Sequence, residues 1–309
     1  MLTEPPTGET FQYFLLNVVS GCASHNALYF ILGLNAWAFH FMHYASLFLL
    51  LLVCTACRLI PRRRIALREI LPLALAQAVV SLATGFLHSG GSDAGLYLLR
   101  FSDTPTTLLP TMGVQALLLS GKCSRGGQRS AELLCLAALA MSASAAWLEP
   151  AMLREMELSW ASFLAFPLLV AAQAIHFLLV QRASARLACG TDELLLYISG
   201  LTAGLLLLPA LVLTGDRVTG EMIATSRSWQ TIDYVLLGMT LLFMVGLMYS
   251  KYWLLVNLRT ETFLALRHVK YTLASLCLWA LLDLSPLTFI SAAGKAVAIA
   301  TIACYAKLK

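Results

Sequence analysis

The sequence predicts an all-α integral membrane protein of ten transmembrane helices with both termini in the cytosol. Three observations carry that prediction. The 309 residues are 59% hydrophobic and 12% charged, with a mean hydropathy of +0.78, whereas soluble domains carry about 25% charged and about 45–50% apolar residues. The apolar residues form runs long enough to cross a bilayer, which takes roughly 20 residues at 1.5 Å per residue. The cations, finally, concentrate in alternate connections. So few charges could not cover the surface of a soluble fold of this size, which excludes a cytosolic enzyme, a disordered chain and a nucleic-acid binder. The net charge of +5 requires no acidic macromolecular partner, because it follows from where Lys and Arg sit relative to the spans.

Taken in order, the apolar runs cover 11–32, 35–57, 70–91, 94–120, 130–148, 158–181, 193–214, 232–257, 261–283 and 285–306. The connections are too short for an extramembrane domain. The first ten residues hold Glu4 and Glu9 and no Lys or Arg, unlike the basic start of a signal or transit peptide, so the first run is expected to be a retained anchor. Asn17, Asn26, Asn35 and Asn257 all lack a Ser or Thr two residues on, so none is a glycosylation acceptor. Cys54 and Cys57 form a C-x-x-C inside an apolar run. Without a second ligand pair, that spacing does not predict a zinc or redox site.

Orientation follows from the bias of Lys and Arg toward cytosolic loops. With Met1 cytosolic, the cytosolic connections carry Arg58, Arg62, Arg63, Arg64 and Arg68, then Lys122, Arg125 and Arg129, then Arg182 and Arg186, then Arg259, and finally Lys307 and Lys309. The opposite loops hold only Arg154, Arg217 and Arg227. A wrong helix count would mix these two sets, so 13 cations against 3 favours ten spans.

Five cations fall within the runs: Arg100, Lys251, Arg267, Lys270 and Lys295. An ionisable group in lipid costs about 2.5–3.5 kcal/mol even on the lenient insertion scale, and by default it marks a pathway or site. Lys270 lies about 14 Å from the cytosolic end of its span, close to the midplane, and Lys295 is about as deep. Arg267 precedes Lys270 by one turn on the same face. Lys251, about 9 Å from its end, and Arg100, near the outer edge, can instead snorkel, with the stem in lipid and the charge at the interface. Snorkelling is strained for Arg267 and Lys270, since two cations on one face would both have to escape. Acidic residues are scarce, and Asp103, Glu193, Asp233, Glu261 and Asp283 all fall near span ends. A deep cavity richer in positive than negative charge calls for water or an anionic ligand.

Other polar features are less specific. His40, His43, His176 and His268 are potential proton carriers, or simply hydrogen-bonded core histidines. Pro105 and Pro110, among Thr104, Thr106, Thr107 and Thr111, interrupt the fourth run, as a kink or as the lining of a polar cavity. Gly200, Ala203 and Gly204 suit close helix packing. Trp147, Trp160, Trp229 and Trp253 near span ends read as interfacial belts.

The runs FQYFLLNVVSGCASHNALYFI, NAWAFHFMHYAS, LPLALAQAVVSLATGFLHS and SWASFLAFPLL, together with TETFLALRHVKYTLASL and SPLTFISAAGKAVAIATIACYAK, resemble the triose-phosphate and nucleotide-sugar transporter family of the drug/metabolite transporter superfamily. Asn17, His43, Trp160, Phe163, Thr262, Val269, Lys270 and Gly294 fall on family positions. The resemblance implies two inverted five-helix halves, residues 1–148 and 149–309, with a binding site at their interface, alternating access, and exchange of a phosphorylated substrate for phosphate or a nucleotide monophosphate. It also implies that Lys270, the cation of the Val-Lys motif, binds substrate phosphate.

Departures bear on the cargo. Tyr271 stands where sugar-phosphate members carry a second cation, threonines around Thr106 replace a helix-four Lys, and Leu196-Tyr197-Ile198-Ser199 stands for aromatic-Tyr-Asn-Asn. The leading expectation is an antiporter of a nucleotide sugar in a Golgi or ER membrane. Lys270 would pair with phosphate, helped by Arg267, Lys251 and His268, with Lys295, Thr106, His43 and Asn17 in the substrate site. Tyr197 and Tyr271 would stack on or bond the base or sugar. The alternatives are a sugar-phosphate or other small-solute transporter, and a transport-inactive homologue acting as a scaffold. Transport makes no covalent bond, so neither a catalytic group nor a metal or cofactor is expected. The expected partners are the phosphorylated anion and the lipid bilayer, with no nucleic acid; a homo-oligomer stays open. The location rests on the missing transit peptide and on Lys307, three residues from the end, which loosely matches an ER-retrieval signal.

Overall fold

A long apolar chain in lipid must satisfy its backbone polar groups within itself, and a helix does so at every residue. The computed structural model of the protein follows that rule. It describes residues 7–30, 36–61, 64–89, 160–218, 230–259, 262–267, 269–270 and 289–308, and the regular structure among them is all helical. The named helices are α1 (Thr7–Phe30), α2 (Ala36–Ala56), α3 (Leu67–Ser89), α4 (Trp160–Leu187), α5 (Thr191–Val218), α6 (Thr231–Asn257) and α7 (Phe289–Leu308). Residues 262–267 and 269–270 are also helical. Each named helix overlaps one predicted span. The runs 94–120 and 130–148 lie outside the described residues, as does most of 261–283.

Five of these helices, α2 to α6, are long and apolar enough to cross a membrane. Their outer faces are apolar as well: Leu208 is 68% exposed, Leu242 67% and Leu164 66%. Side chains of that kind displayed helix after helix match a lipid solvent, where exposed hydrocarbon carries no penalty. The protein is therefore a multi-pass, all-α membrane protein.

Helix ends are set by local chemistry. At α2, the amide of Leu59 bonds to the Cys54 carbonyl and that of Arg58 to Thr55, a Schellman closure that needs a left-handed residue. Arg58 supplies it at φ 60°. At the start of α5, the Glu193 carboxylate accepts the Gly190 amide, and at α6 Asp233 accepts the Gln230 amide. Both are the acidic half of a capping box, which satisfies an orphan donor and complements the helix dipole.

The chain divides into two compact units, each assembled from two stretches. Unit 1 is Met1–Gly85 with Leu179–Leu258, and unit 2 is Phe86–Leu178 with Arg259–Lys309.

In unit 1, α6 packs along α1 and also meets α2 and α5, and α2 packs on α5. Helices α1 and α6 run antiparallel: Tyr13 stacks on Trp253, Asn17 bonds Leu247 and Ser250, and Ser20 meets Gly246. Small residues permit the close approaches. A Cβ on Gly246 would lie 2.8 Å from Ser20 Oγ, one on Gly200 2.7 Å from the Phe48 ring, and one on Gly85 2.7 Å from Trp37. Of the predicted packing stripe, Gly200 and the buried Ala203 serve this role, whereas a Cβ on Gly204 would meet nothing within 4 Å.

Several connections meet at one end of unit 1. Arg186 at the end of α4 pairs with Glu69 at the start of α3. Gln181 Nε2 donates to the Leu255 and Leu258 carbonyls at 3.0 and 2.9 Å, closing the end of α6, where carbonyls lack helical partners. The Tyr13–Trp253 stack brings the start of α1 to the same end. In unit 2, Phe177 is buried against Phe263, edge to face at 5.3 Å between centroids.

Candidate functional site

Lys270 and Arg267, which share a helix face, both lie in unit 2. Lys270 is 8% exposed, so its ammonium belongs to the interior and not to the lipid face. Arg267, one turn earlier and half-buried, sets its guanidinium 5.5 Å from the centre of the Phe177 ring. A guanidinium over an aromatic face gains cation–π attraction while keeping its edge donors for oxygen acceptors. Buried Gln173 and His176 lie on the α4 segment that carries Phe177.

Unit 1 holds a second set of predicted residues. His43 on α2 is 3% exposed, stacked on Tyr44 with centroids 5.1 Å apart. It lies against the Met244 backbone of α6 and within electrostatic reach of His40 and Lys251. The structure thus brings His43 and Lys251 together. Lys251 is half-buried.

Asn17 bridges two helices. Its amide donates to the Leu247 carbonyl at 3.1 Å and to Ser250 Oγ at 3.0 Å, joining α1 to α6. Tyr197 is half-buried in the second turn of α5. Lys295 lies on α7, while Thr106, His268 and Tyr271 lie outside the described residues. Cys54 and Cys57 are reduced thiols at the end of α2, and the described residues contain no cluster of three or more metal-binding side chains.

Two hydrogen-bonded groups in unit 1 escaped the sequence reading. Tyr252, fully buried, donates to Gln77 Oε1 at 3.3 Å, and Tyr44 bonds Ser81, which ties α6 and α2 to α3. The Tyr249 hydroxyl bonds Asp192 and Tyr13, linking α6 to α5 and α1. Trp253, read as part of an interfacial belt, stacks on Tyr13 at 3.9 Å and 17°. The only signal for these partners was spacing: Tyr249 and Tyr252 at i, i+3, and Gln77 and Ser81 at i, i+4, each share a helix face.

No known family's sequence profile matches this chain, and no curated protein matches it. Its fold is similar to that of a solved structure named "Crystal structure of protein", with a TM-score of 0.67 and 11% sequence identity over 98% of this chain and 96% of the other. At that identity the likeness is one of fold, and it extends over nearly the whole chain.

Proposed function

We propose that the chain is an antiporter of a phosphorylated organic anion in a Golgi or ER membrane, exchanging a nucleotide sugar for a nucleotide monophosphate by alternating access. The observation that carries this reading is Lys270, buried in a membrane protein, with Arg267 one turn away on the Phe177 ring. Phosphate oxygens would receive charge-assisted hydrogen bonds from both, with the guanidinium fork supplying directionality and the ammonium a point charge. A bound anion would neutralise the site and let it pass through an occluded state. An empty site would carry its positive charge through that state, at a cost of several kcal/mol on the scale of buried ions. Exchange is thereby favoured over leak.

Ten spans with both termini in the cytosol complete the proposal. The meeting of the start of α1, the basic α2–α3 connection, the Arg182 and Arg186 end of α4 and the end of α6 at one end of unit 1 supports that orientation. It gathers connections that the charge bias assigns to the cytosol.

The test is ligand-dependent thermal stability of the purified protein with nucleotide mono- and diphosphates, nucleotide sugars and sugar phosphates, followed by counterflow in liposomes. Stabilisation and counterflow by a nucleotide sugar, both lost in Lys270→Ala and partly kept in Lys270→Arg, are expected. Stabilisation by amines or neutral solutes alone would defeat the proposal. No anion response and indifference to Lys270→Ala would point to a scaffold.

A further inference from the structure

Helix α4 carries a buried amide that the packing around it does not use. Gln173 is 7% exposed, and its neighbours Ala172 and Ala174, with Leu169 one turn earlier, are buried and apolar. Its Oε1 is shielded from solvent and meets no hydrogen-bond donor among the described residues. Polar atoms inside a protein are as a rule hydrogen-bonded, because an unmade bond there destabilises the fold. The interhelical amides of unit 1, Asn17 and Gln181, each make two bonds. An acceptor in the state of Gln173 Oε1 is poised for a donor that a ligand brings.

The placement of Gln173 sets that acceptor beside the cation pair, within unit 2. Phe177 follows it by four residues, so the two share a face of α4. Phe177 packs edge to face on Phe263 and lies under the Arg267 guanidinium, so this face is turned toward the helical segment of Lys270. Direction follows from successive contacts along α4. Gln181 meets Leu258, and Phe177, one turn earlier, meets Phe263 and Arg267. Numbers that fall along α4 therefore match numbers that rise toward Lys270, and the two segments run antiparallel. One further turn, about 6 Å along the axis, brings Gln173 to the level of Arg267 and Lys270. Phe263, Arg267 and Lys270 stand at i, i+4 and i+7 on one face. Helical side chains lean toward their own N-terminus, so in this antiparallel pair Gln173 and Lys270 lean toward one another's level.

The ammonium and the guanidinium supply donors only, whereas Gln173 Oε1 is an acceptor. A phosphate oxygen cannot satisfy it, but a hydroxyl can. Resting on the anion reading of Lys270, we infer that Gln173 is a specificity residue of that site, accepting a hydrogen bond from a hydroxyl on the carbon skeleton of a phosphorylated cargo. A site built this way rejects an analogue that lacks the hydroxyl, since its own buried acceptor is then left unpaired.

The experiment uses the full chain in phosphatidylcholine nanodiscs, titrated with inorganic phosphate, methyl phosphate, a hexose 1-phosphate and a nucleotide sugar. Thermal stability is read for the wild type, Gln173→Leu, Gln173→Met and Lys270→Ala, each first checked for a monodisperse, helical fold. Both Gln173 variants should bind the hydroxyl-bearing ligand that the wild type prefers about three- to tenfold more weakly, the scale of one neutral hydrogen bond. Their response to phosphate and methyl phosphate should be unchanged, while Lys270→Ala should weaken every ligand. Without ligand, both Gln173 variants should melt at or above the wild-type temperature, because hydrocarbon replaces an unpaired buried amide. A Gln173 with a purely structural role would instead lower that temperature. The inference is overturned if both variants bind the hydroxyl-bearing ligands like the wild type, if all four ligands weaken alike, or if the ligand-free variants melt below the wild type. In those cases a loss of binding in Lys270→Ala leaves the anion reading standing, whereas stabilisation by none of the four ligands defeats both.

Discussion

Replacing Asn17 by Ala separates a ligand group from a packing group, and the structure gives the size of the effect. The Asn17 amide makes two bonds into α6, to the Leu247 carbonyl at 3.1 Å and Ser250 Oγ at 3.0 Å. Neither partner is orphaned by its loss. The Leu247 carbonyl belongs to a helix, and Ser250 Oγ goes on donating to the Gly246 and Leu247 carbonyls at 2.8 and 3.0 Å. The cost is therefore that of two interhelical bonds in a membrane, averaging about 0.6 kcal/mol each, plus a small cavity term, or about 1–2 kcal/mol in all. Unfolding in mixed micelles would measure it, and a double-mutant cycle with Ser250→Ala should return a coupling of about 0.6 kcal/mol. Anion-dependent stabilisation, compared at equal distance from each variant's own midpoint, should be unchanged. A loss under about 0.3 kcal/mol, within the usual error of additivity, together with a clear fall in anion affinity would refute the packing role and return Asn17 to the substrate site.

Further outcomes follow from the same geometry. Gly200→Ala should destabilise by about 1–3 kcal/mol, the usual cost of overpacking, because its new methyl meets the Phe48 ring at 2.7 Å; Gly204→Ala, with nothing within 4 Å, should be neutral or slightly stabilising, and paired thermal melts would compare them. Arg58→Gly should raise stability by about 0.5–1 kcal/mol, since it relieves a left-handed backbone at φ 60° at the end of α2. Arg186→Ala should cost less than about 1 kcal/mol, because the arginine side chain of the Glu69 pair is 66% exposed and screened. Gln181→Ala should cost more, about 1–3 kcal/mol, since it strips a donor from two carbonyls at the end of α6. A reversed order in chemical denaturation would show that the ion pair, and not the amide cap, holds that end together.

The legible part of the fold is the part governed by the solvent. Length and apolarity place α1 to α7 near where they form, because a bilayer demands long apolar helices whatever they pack against. Lys270, singled out by its depth along the span, is buried. Less visible was the use of each polar group. Asn17, expected in the substrate site, also bonds α1 to α6, a use its sequence position did not show. Tyr252, Gln77, Tyr44 and Ser81 carried no motif, yet they join three helices.

The sequence alone thus determined a multi-pass helical membrane protein with basic side chains inside it, since hydropathy and charge are summed along one chain. Tertiary structure decided which helices share a unit and which polar groups meet. Segments far apart in the chain, Met1–Gly85 and Leu179–Leu258, build unit 1. Contacts such as His43 with Met244 and Gln181 with Leu258 depend on the rotation and register of one helix against another. That choice is made by interdigitating side chains at close range, which linear spacing within a single helix does not encode.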